Sequence, residues 1–377
     1  MFSRTVENRI INKSFKGKAV IIAGARQTGK TTLAFEIIKK TGKSSRIFNC
    51  DNPTDREMLT EKDLPFLKNL IGVAEIILID EGQKVPTIGQ TVKLLVDCFR
   101  ETKQIIITGS SRVNLLDMTS EPLTGRKAVF SLYPLSLEEM YPEKNMLNIY
   151  KELDHLLIFG SYPDVVNQDS FDDKKDLLQE LHTSYLYKDV LSYQKIRNSD
   201  VITGLVKALA LQIGSEVSYN ELANLIGINR KTVESYIDLL EKSFIIFRLP
   251  PFYRNKRNEI SKMKKIYFYD LGIRNAVINN FNIPENRDDT GNLWENFLMV
   301  ERLKYREYYN IHASQYFWRT YDGTEIDLIE ERGGELLGYE FKWGRKQVRK
   351  PKKWLEYPKS SFKVISKDNI SGFILGT

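Results

Sequence analysis

Cysteine is nearly missing: Cys50 and Cys98 are the only two in 377 residues. Two thiols cannot build a disulfide framework or a cysteine-rich zinc site, and such sparing use points to the reducing cytoplasm. Histidine is as scarce, and His155, His182 and His312 show no metal-ligand spacing. No run of 18 apolar residues occurs, and the opening MFSRTVENRI lacks the apolar stretch of a signal peptide. Neither a membrane span nor secretion is therefore expected. Internal repeats and low-complexity tracts are absent as well. What is present is ordinary globular usage, 42% hydrophobic and 28% charged, in a chain long enough for two or three domains with sizeable cores.

The net charge of +7 is unevenly placed. Residues 251–377 hold 23 Lys/Arg and 17 Asp/Glu, so +6 lies there. Within them, 342–363 carries nine basic residues against the single acid Glu356, and all four tryptophans (Trp294, Trp318, Trp343, Trp354) fall in the same part. The basic run reads either as a surface for a polyanion such as nucleic acid or as a solvated face.

Short apolar runs alternate with helical patterns over the first 140 residues: KAVIIA, RIFNC, AEIILID and KQIIIT are strand-like, and Thr31–Lys40 and Thr87–Glu101 helical. That alternation predicts a parallel sheet covered on both faces. Residues 141–250 read as mostly helical, and from 251 mixed strands and helices return. Three domains are expected, 1–140, 141–250 and 251–377, with a hinge at Pro250-Pro251 and the basic stretch after it.

Gly24-Ala25-Arg26-Gln27-Thr28-Gly29-Lys30-Thr31 fits G-x-x-x-x-G-K-[ST] without a mismatch, between an apolar strand and the helical pattern that starts at Thr32. The glycines let the backbone curl so that successive N–H groups face phosphate oxygens, and the helix N-terminus adds partial positive charge. Lys30 is placed to reach the β- and γ-phosphates of ATP, and the Thr31 hydroxyl to ligate Mg2+. The strand IILID then ends in Asp80 and Glu81. At the carboxyl end of a buried strand, Asp80 would hold the metal and Glu81 would activate water. A further strand ends in Thr108-Gly109-Ser110-Ser111, which offers Ser110 as a sensor of the γ-phosphate. Arg126 is a candidate arginine finger, in cis or from a neighbouring copy of a homo-oligomer.

Together these residues resemble the AAA-type ATPases of the additional-strand, catalytic-glutamate class. The resemblance is closest to a prokaryotic family that joins such an ATPase to a C-terminal restriction-endonuclease-like domain, on the phrases GARQTGKTTL, ILIDEGQKVP, IITGSS, LTGRKAVFSLYPLSLEE and FGSYPDVV. That family usually has Ile-Gln after the acid pair, where this chain has Gly82-Gln83. The fold class implied is α/β throughout.

In the middle segment, Ser218 and Glu221 have capping-box spacing, a Gly227-Ile228-Asn229 turn follows, and Arg230–Lys242 and Phe244–Leu249 read as helix and strand. This is a winged helix-turn-helix pattern. Arg230, Lys231 and Ser235 would face a DNA groove, but Glu234, Asp238 and Glu241 on the same helix would repel phosphates. A packing or interaction role is preferred, as the AAA resemblance also implies.

Toward the C-terminus, Glu295 opens a helix, Asp327 lies on one strand, and Glu340 and Lys342, two apart on the next, share a face. Two carboxylates, Asp327 and Glu340, suit a magnesium ion, and a lysine beside them suits phosphodiester hydrolysis. The order Glu295, Asp327, Glu340-x-Lys342 resembles the restriction-endonuclease-like core. Two functions follow: a Mg2+-dependent ATPase with a nuclease-like domain that touches DNA, or an ATP-driven switch that binds a protein partner through an inactive nuclease-like domain.

Overall fold

The computed structural model describes residues 2–110, 123–194, 199–253, 263–344 and 348–375, with side chains for all of these except 184–194 and 199. The chain divides into two compact units, one formed by 1–135 with 242–244, the other by 136–241 with 245–377.

In the first unit, five strands form one sheet in the order β2-β3-β4-β1-β5: β1 (Ala19–Ala23), β2 (Ser45–Asn49), β3 (Ile76–Asp80), β4 (Gln104–Gly109) and β5 (Lys127–Ser131). Every pairing is parallel. β1 and β4 are buried along their whole length, which explains why they read as unbroken apolar runs rather than alternating ones. β4 lies between β1 and β3, the added strand that the ATPase resemblance implies. The helices Leu64–Ile71 and Ile88–Phe99 pack on one face through Leu67, Ile71, Val92 and Leu95. Parallel register brings Ala23 level with Gly109 and Asn49 level with Asp80. The carboxyl ends of four strands thus line one edge, where ligands of open α/β sheets collect.

The second unit opens with helices. Met146–Phe159 ends at Gly160, whose φ is +68°, and the carboxylate of Asp270 fills the space where a side chain would stand. Asp270 accepts hydrogen bonds from Ser161 N and Ile273 N at 2.7 and 3.1 Å. The FGSYPDVV phrase is in this structure a turn locked onto a buried acid.

Helix Ser199–Leu211, β6 (Glu216–Val217), helices Tyr219–Ile226 and Arg230–Lys242, β7 (Ile246–Leu249) and β8 (Lys264–Phe268) follow in order. The three strands form an antiparallel sheet ordered β6-β8-β7. Ser218 caps its helix by accepting from Glu221 N, and Gly227 ends it in the left-handed region. The hinge expected at Pro250-Pro251 is corrected here: β7 and β8 pair across that position, Ile246 opposite Phe268. Proline lacks the N–H that would extend β7, so it ends the strand without ending the module. The rest of that stretch, 254–262, lies outside the described residues.

The remaining sheet has the order β12-β11-β10-β9: β9 (Ser314–Arg319), β10 (Glu325–Arg332), β11 (Glu335–Phe341) and β12 (Ser360–Ile365). β9, β10 and β11 run antiparallel, and β12 joins β11 in parallel. Helix Thr290–Tyr308 is fastened to it by Arg302, whose guanidinium grips the fully buried Glu330 through two hydrogen bonds of 2.9 and 2.8 Å. Among the described residues, no helix is long and apolar enough to cross a membrane.

Candidate functional site

The loop between β1 and helix Lys30–Thr41 is shaped by two left-handed residues, Gln27 (φ +56°) and Gly29 (φ +88°). Gly24 is required by space, because a Cβ there would overlap the backbone carbonyl of Leu132. Thr28 Oγ1 donates to Ala25 O at 2.9 Å, and the buried Lys30 ammonium donates to the same carbonyl at 2.7 Å. From outside the motif, Arg4 braces the loop, donating to Thr28 O at 2.7 Å and Tyr133 O at 2.6 Å. Arg26 is half-buried and Thr32 exposed.

Helix and sheet meet at Thr31, whose hydroxyl donates to Asp80 Oδ1 at 2.8 Å. Thr108, fully buried on β4, also donates to Asp80, and its hydroxyl accepts from Glu81 N at 3.2 Å. Glu81 is left-handed (φ +53°), which turns its carboxylate away from the strand. Gln83 holds that carboxylate: its amide donates to Glu81 Oε2 at 2.6 Å and to Ser110 Oγ at 3.1 Å. The Gly82 that departs from the family pattern lies where a Cβ would meet Ile107 Cγ2 at 2.6 Å. Lys30, Thr31, Asp80, Glu81 and Ser110 therefore share one edge of the sheet. Ser111 lies outside the described residues. A hydroxyl and a carboxylate 2.8 Å apart, facing a loop of curled N–H groups, are the hard oxygen donors and anion cradle that fit magnesium and a phosphate chain.

Arg126 is not brought to this edge. Its carbonyl accepts from Ala19 N, at the amino end of β1, and its guanidinium pairs with Asp97 at 2.5 Å. At about 3.3 Å per residue, the five residues of β1 separate it from Gly24 by roughly 16 Å. Parallel pairing, which the sequence does not display as a number, is the reason an in-cis finger does not form. Arg4, Thr108 and Gln83 are the residues that sequence reasoning missed. Gln83 and Thr108 had a signal, their places in the family phrases ILIDEGQKVP and IITGSS; Arg4 had none.

The second candidate site lies on the second unit. Asp327 is on β10 beside a register shift between Ile326 and Ile329, and its Oδ2 accepts from Phe341 N at 2.7 Å. Glu340 is 8% exposed, and its Oε1 accepts from Lys342 Nζ at 2.6 Å. Its buried Oε2 has no hydrogen-bond partner among the described residues. Glu295, near the start of helix Thr290–Tyr308, accepts from Tyr267 OH at 2.6 Å and Lys265 Nζ at 3.0 Å. Lys265, on β8, also meets Glu325, and Asp327 Oδ1 at 3.8 Å. The four expected residues thus gather, together with Lys265, Tyr267 and Glu325, which no local pattern marked.

Burial, then the neighbouring charge of Glu295, pushes the Asp327 carboxyl well above the usual range. Burial likewise raises Glu340, against the pull of Lys342. Burial works against the Lys265 ammonium, but Glu295, Asp327 and Glu325 outweigh it and hold its pKa above the ordinary lysine value. Among the described residues, no three His, Cys, Asp or Glu side chains converge as a metal cage. The hard oxygens of Asp327 and the orphaned Glu340 Oε2 suit a divalent ion in type, although the cage itself is not formed. Of the basic run, Arg349, Lys350, Lys352, Lys353, Lys359 and Lys363 are exposed beside β11 and β12, and Lys353 pairs with Asp322 at 2.9 Å. Arg345 and Lys346 lie outside the described residues.

Residues 16–141 match a family model described as an AAA domain. Residues 150–283 and 290–369 match two domains of unknown function, DUF8612 and DUF4143; neither description names a nuclease. An uncharacterized protein of Mycobacterium tuberculosis is 27% identical over 343 residues, 90% of this chain and 73% of its own length. One of Methanocaldococcus jannaschii is 28% identical over 287 residues, 70% and 63% of the two chains. Among solved structures, a RuvB mutant of Thermotoga maritima aligns over 69% of this chain and 95% of that one, at 14% identity and a TM-score of 0.34. The AAA-domain match, on a parallel sheet with an intact phosphate loop, supports an AAA-type ATPase domain that binds nucleotide.

Proposed function

We propose that the chain is an ATPase that uses ATP and Mg2+, and that its second unit carries a nuclease-like carboxylate site flanked by a surface for nucleic acid. The observation that carries the first part is the 2.8 Å contact between Thr31 and Asp80, with Glu81 beside it. Bound magnesium would supply charge neutralisation for the β- and γ-phosphate oxygens. The chain's own residues do the rest. Thr31 and Asp80 hold the ion, and the N–H groups from Ala25 to Thr31 cradle phosphate. Lys30 exchanges the Ala25 carbonyl for phosphate oxygens. Glu81, released from Gln83, accepts a proton from the attacking water, and Ser110 reports on the terminal phosphate.

The test is ATP turnover and nucleotide binding in three proteins. Wild type should hydrolyse ATP with magnesium. Glu81→Gln should bind ATP and turn it over about a hundredfold more slowly. Lys30→Ala should lose binding. Unchanged turnover in Lys30→Ala, or lost binding in Glu81→Gln, would discard the assignment.

For the second part, Asp327 and Glu340 would hold a magnesium ion, Lys342 would orient the attacking water, and Glu295 would support them. The orphaned Glu340 Oε2 supports a cation there. Metal-dependent cleavage of DNA that disappears in Asp327→Ala is the expected result; no cleavage of any substrate would leave the switch reading. That second reading has an observation of its own. The helix-strand-helix-helix-strand-strand order around β6–β8 supports a winged-helix reading, yet Arg230 is tied to Glu234 at 3.1 Å and Arg248 to Asp238 at 2.7 Å. With those guanidiniums already paired, this module is better suited to a protein partner than to a DNA groove. A role for Arg126 would require a neighbouring copy in a homo-oligomer.

A further inference from the structure

Lys265 lies inside the carboxylate cluster although it belongs to another sheet. β8 is the central strand of the three-stranded sheet, and Lys265 stands opposite Glu216 on β6 and Leu249 on β7. Its ammonium lies 5.7 Å from the centroid of the Phe317 ring, and 3% of the residue is exposed. Its ammonium then ends against Glu295, Glu325 and Asp327. This is a deliberate burial in chemical terms, since an ammonium taken out of water is stable only among opposite charges. Counted formally, Glu295, Glu325, Asp327 and Glu340 bring four negative charges, and Lys265 and Lys342 two positive. The buried Glu340 Oε2 has no hydrogen-bond partner among the described residues, and the Glu340 carboxyl feels the charges of Glu325 and Glu295.

We infer that Lys265 is an internal cation that competes with a divalent metal for Asp327 and so sets how tightly this site takes metal. The inference rests on the metal-site reading proposed above. Its physical basis is that an ammonium and a metal ion cannot share the same carboxylate oxygens, and that a fixed positive charge a few ångströms away repels a second. The ammonium stands among the carboxylates, and the cage they would otherwise form is open. Because Lys265 is carried by β8, the site's metal affinity is tied to the seating of the three-stranded sheet.

The experiment titrates Mn2+ alone into the nucleotide-free full chain, with free ion followed by electron paramagnetic resonance. Asp327→Asn identifies the binding that belongs to this site. Lys265→Met should tighten that Asp327-dependent binding by about tenfold. Lys265→Met combined with Glu325→Gln keeps the formal charge of the cluster, easing the demands on folding, and should tighten it as well. In wild type, saturating Mn2+ should displace the ammonium and raise labelling of Lys265 by an amine-reactive reagent severalfold, read by peptide mass spectrometry. Equal or weaker Mn2+ binding in the Lys265 variants, or labelling that ignores Mn2+, would overturn the inference while leaving the metal site standing. No Asp327-dependent binding in any protein would remove the metal site itself. Binding seen only once Lys265 is replaced would support the inference in its strongest form.

Discussion

The edge of the parallel sheet and the carboxylate cluster of the second unit handle charge in opposite ways. At the sheet edge, the acids are few, and Thr31, Thr108 and Gln83 hold Asp80 and Glu81 by hydrogen bonds from neutral donors. Left-handed backbone at Gln27 and Gly29 and the brace from Arg4 define the shape of the phosphate loop. In the second unit, four acids gather from a helix and two strands, and two lysines hold them together. The first arrangement offers neutral donors and backbone N–H groups; the second holds ammonium groups among its acids. A pre-shaped cradle costs little to fill, whereas a cluster with resident ammonium groups exchanges one cation for another. ATP binding and metal binding should therefore respond to different kinds of substitution.

The largest expected effect sharpens this contrast on stability. Arg302→Met would leave Glu330, which is fully buried, without its two-pronged partner and with only Arg306 and Arg332 nearby. Removing one member of a buried pair typically costs about 3–5 kcal/mol, and the remaining arginines place the expectation near the lower end. Thermal unfolding should show the loss, while ATP binding measured below that transition stays within about twofold, because the cradle is built from other residues. Loss of ATP binding in parallel with the melting change would break the contrast between the two regions.

The difference also explains what could be read from sequence. The phosphate loop and the acid pair occupy consecutive residues whose spacing carries the chemistry, so the sheet, the added strand and the edge that carries loop and acids were legible. So was the convergence of Glu295, Asp327, Glu340 and Lys342, although there the family resemblance supplied the order and strand periodicity only the shared face. Lys265 and Glu325 were not legible. Lys265 sits in a basic stretch that reads as a solvated connection, and only the antiparallel pairing of β8 with β7 turns it inward. The in-cis role of Arg126 failed for the complementary reason: closeness in sequence to the sheet said nothing about which edge it would occupy, and a role from a neighbouring copy is untouched by this. The expected boundary at 250 failed because Pro250-Pro251 looks like a hinge and is a strand end.

Next in size is Gly24→Ala. A methyl group there would overlap the Leu132 carbonyl, a backbone atom that cannot rotate aside. Overpacking of this kind costs about 1–3 kcal/mol, and the loop would shift to accommodate it. ATP affinity should fall together with the stability of the first unit, while Asp327-dependent Mn2+ binding stays unchanged. Normal ATP affinity in this variant would show that the cradle is less rigid than its hydrogen bonds imply.

The smallest effect is a pH dependence carried by Asp289, just before helix Thr290–Tyr308. Burial would raise its pKa, but hydrogen bonds from Arg287 at 2.8 Å and Arg274 at 2.6 Å outweigh that and lower it from 3.8 to about 2. A carboxylate whose folded pKa is depressed contributes stability above its unfolded pKa and loses it as pH falls through the folded one. The contribution is thus complete above about pH 5 and gone near pH 1; the full shift would correspond to about 2 kcal/mol, and solvent screening of this half-open carboxylate brings it nearer about 1 kcal/mol. Asp289→Asn should be less stable than wild type by that order at pH 6 in urea denaturation. The gap should narrow steadily as the pH is lowered from 4 toward 2, where the wild-type carboxylate is itself half protonated. The Lys265 cluster should behave in the opposite sense. There burial and Glu295 hold Asp327 above the usual range, so its charged form weighs against folding, and mild acid relieves that cost. A gap between Asp289→Asn and wild type that stays constant from pH 6 to pH 2 would mean that the two arginines position Asp289 without stabilising its charge. The two regions would then differ in layout but not in how they use paired charge.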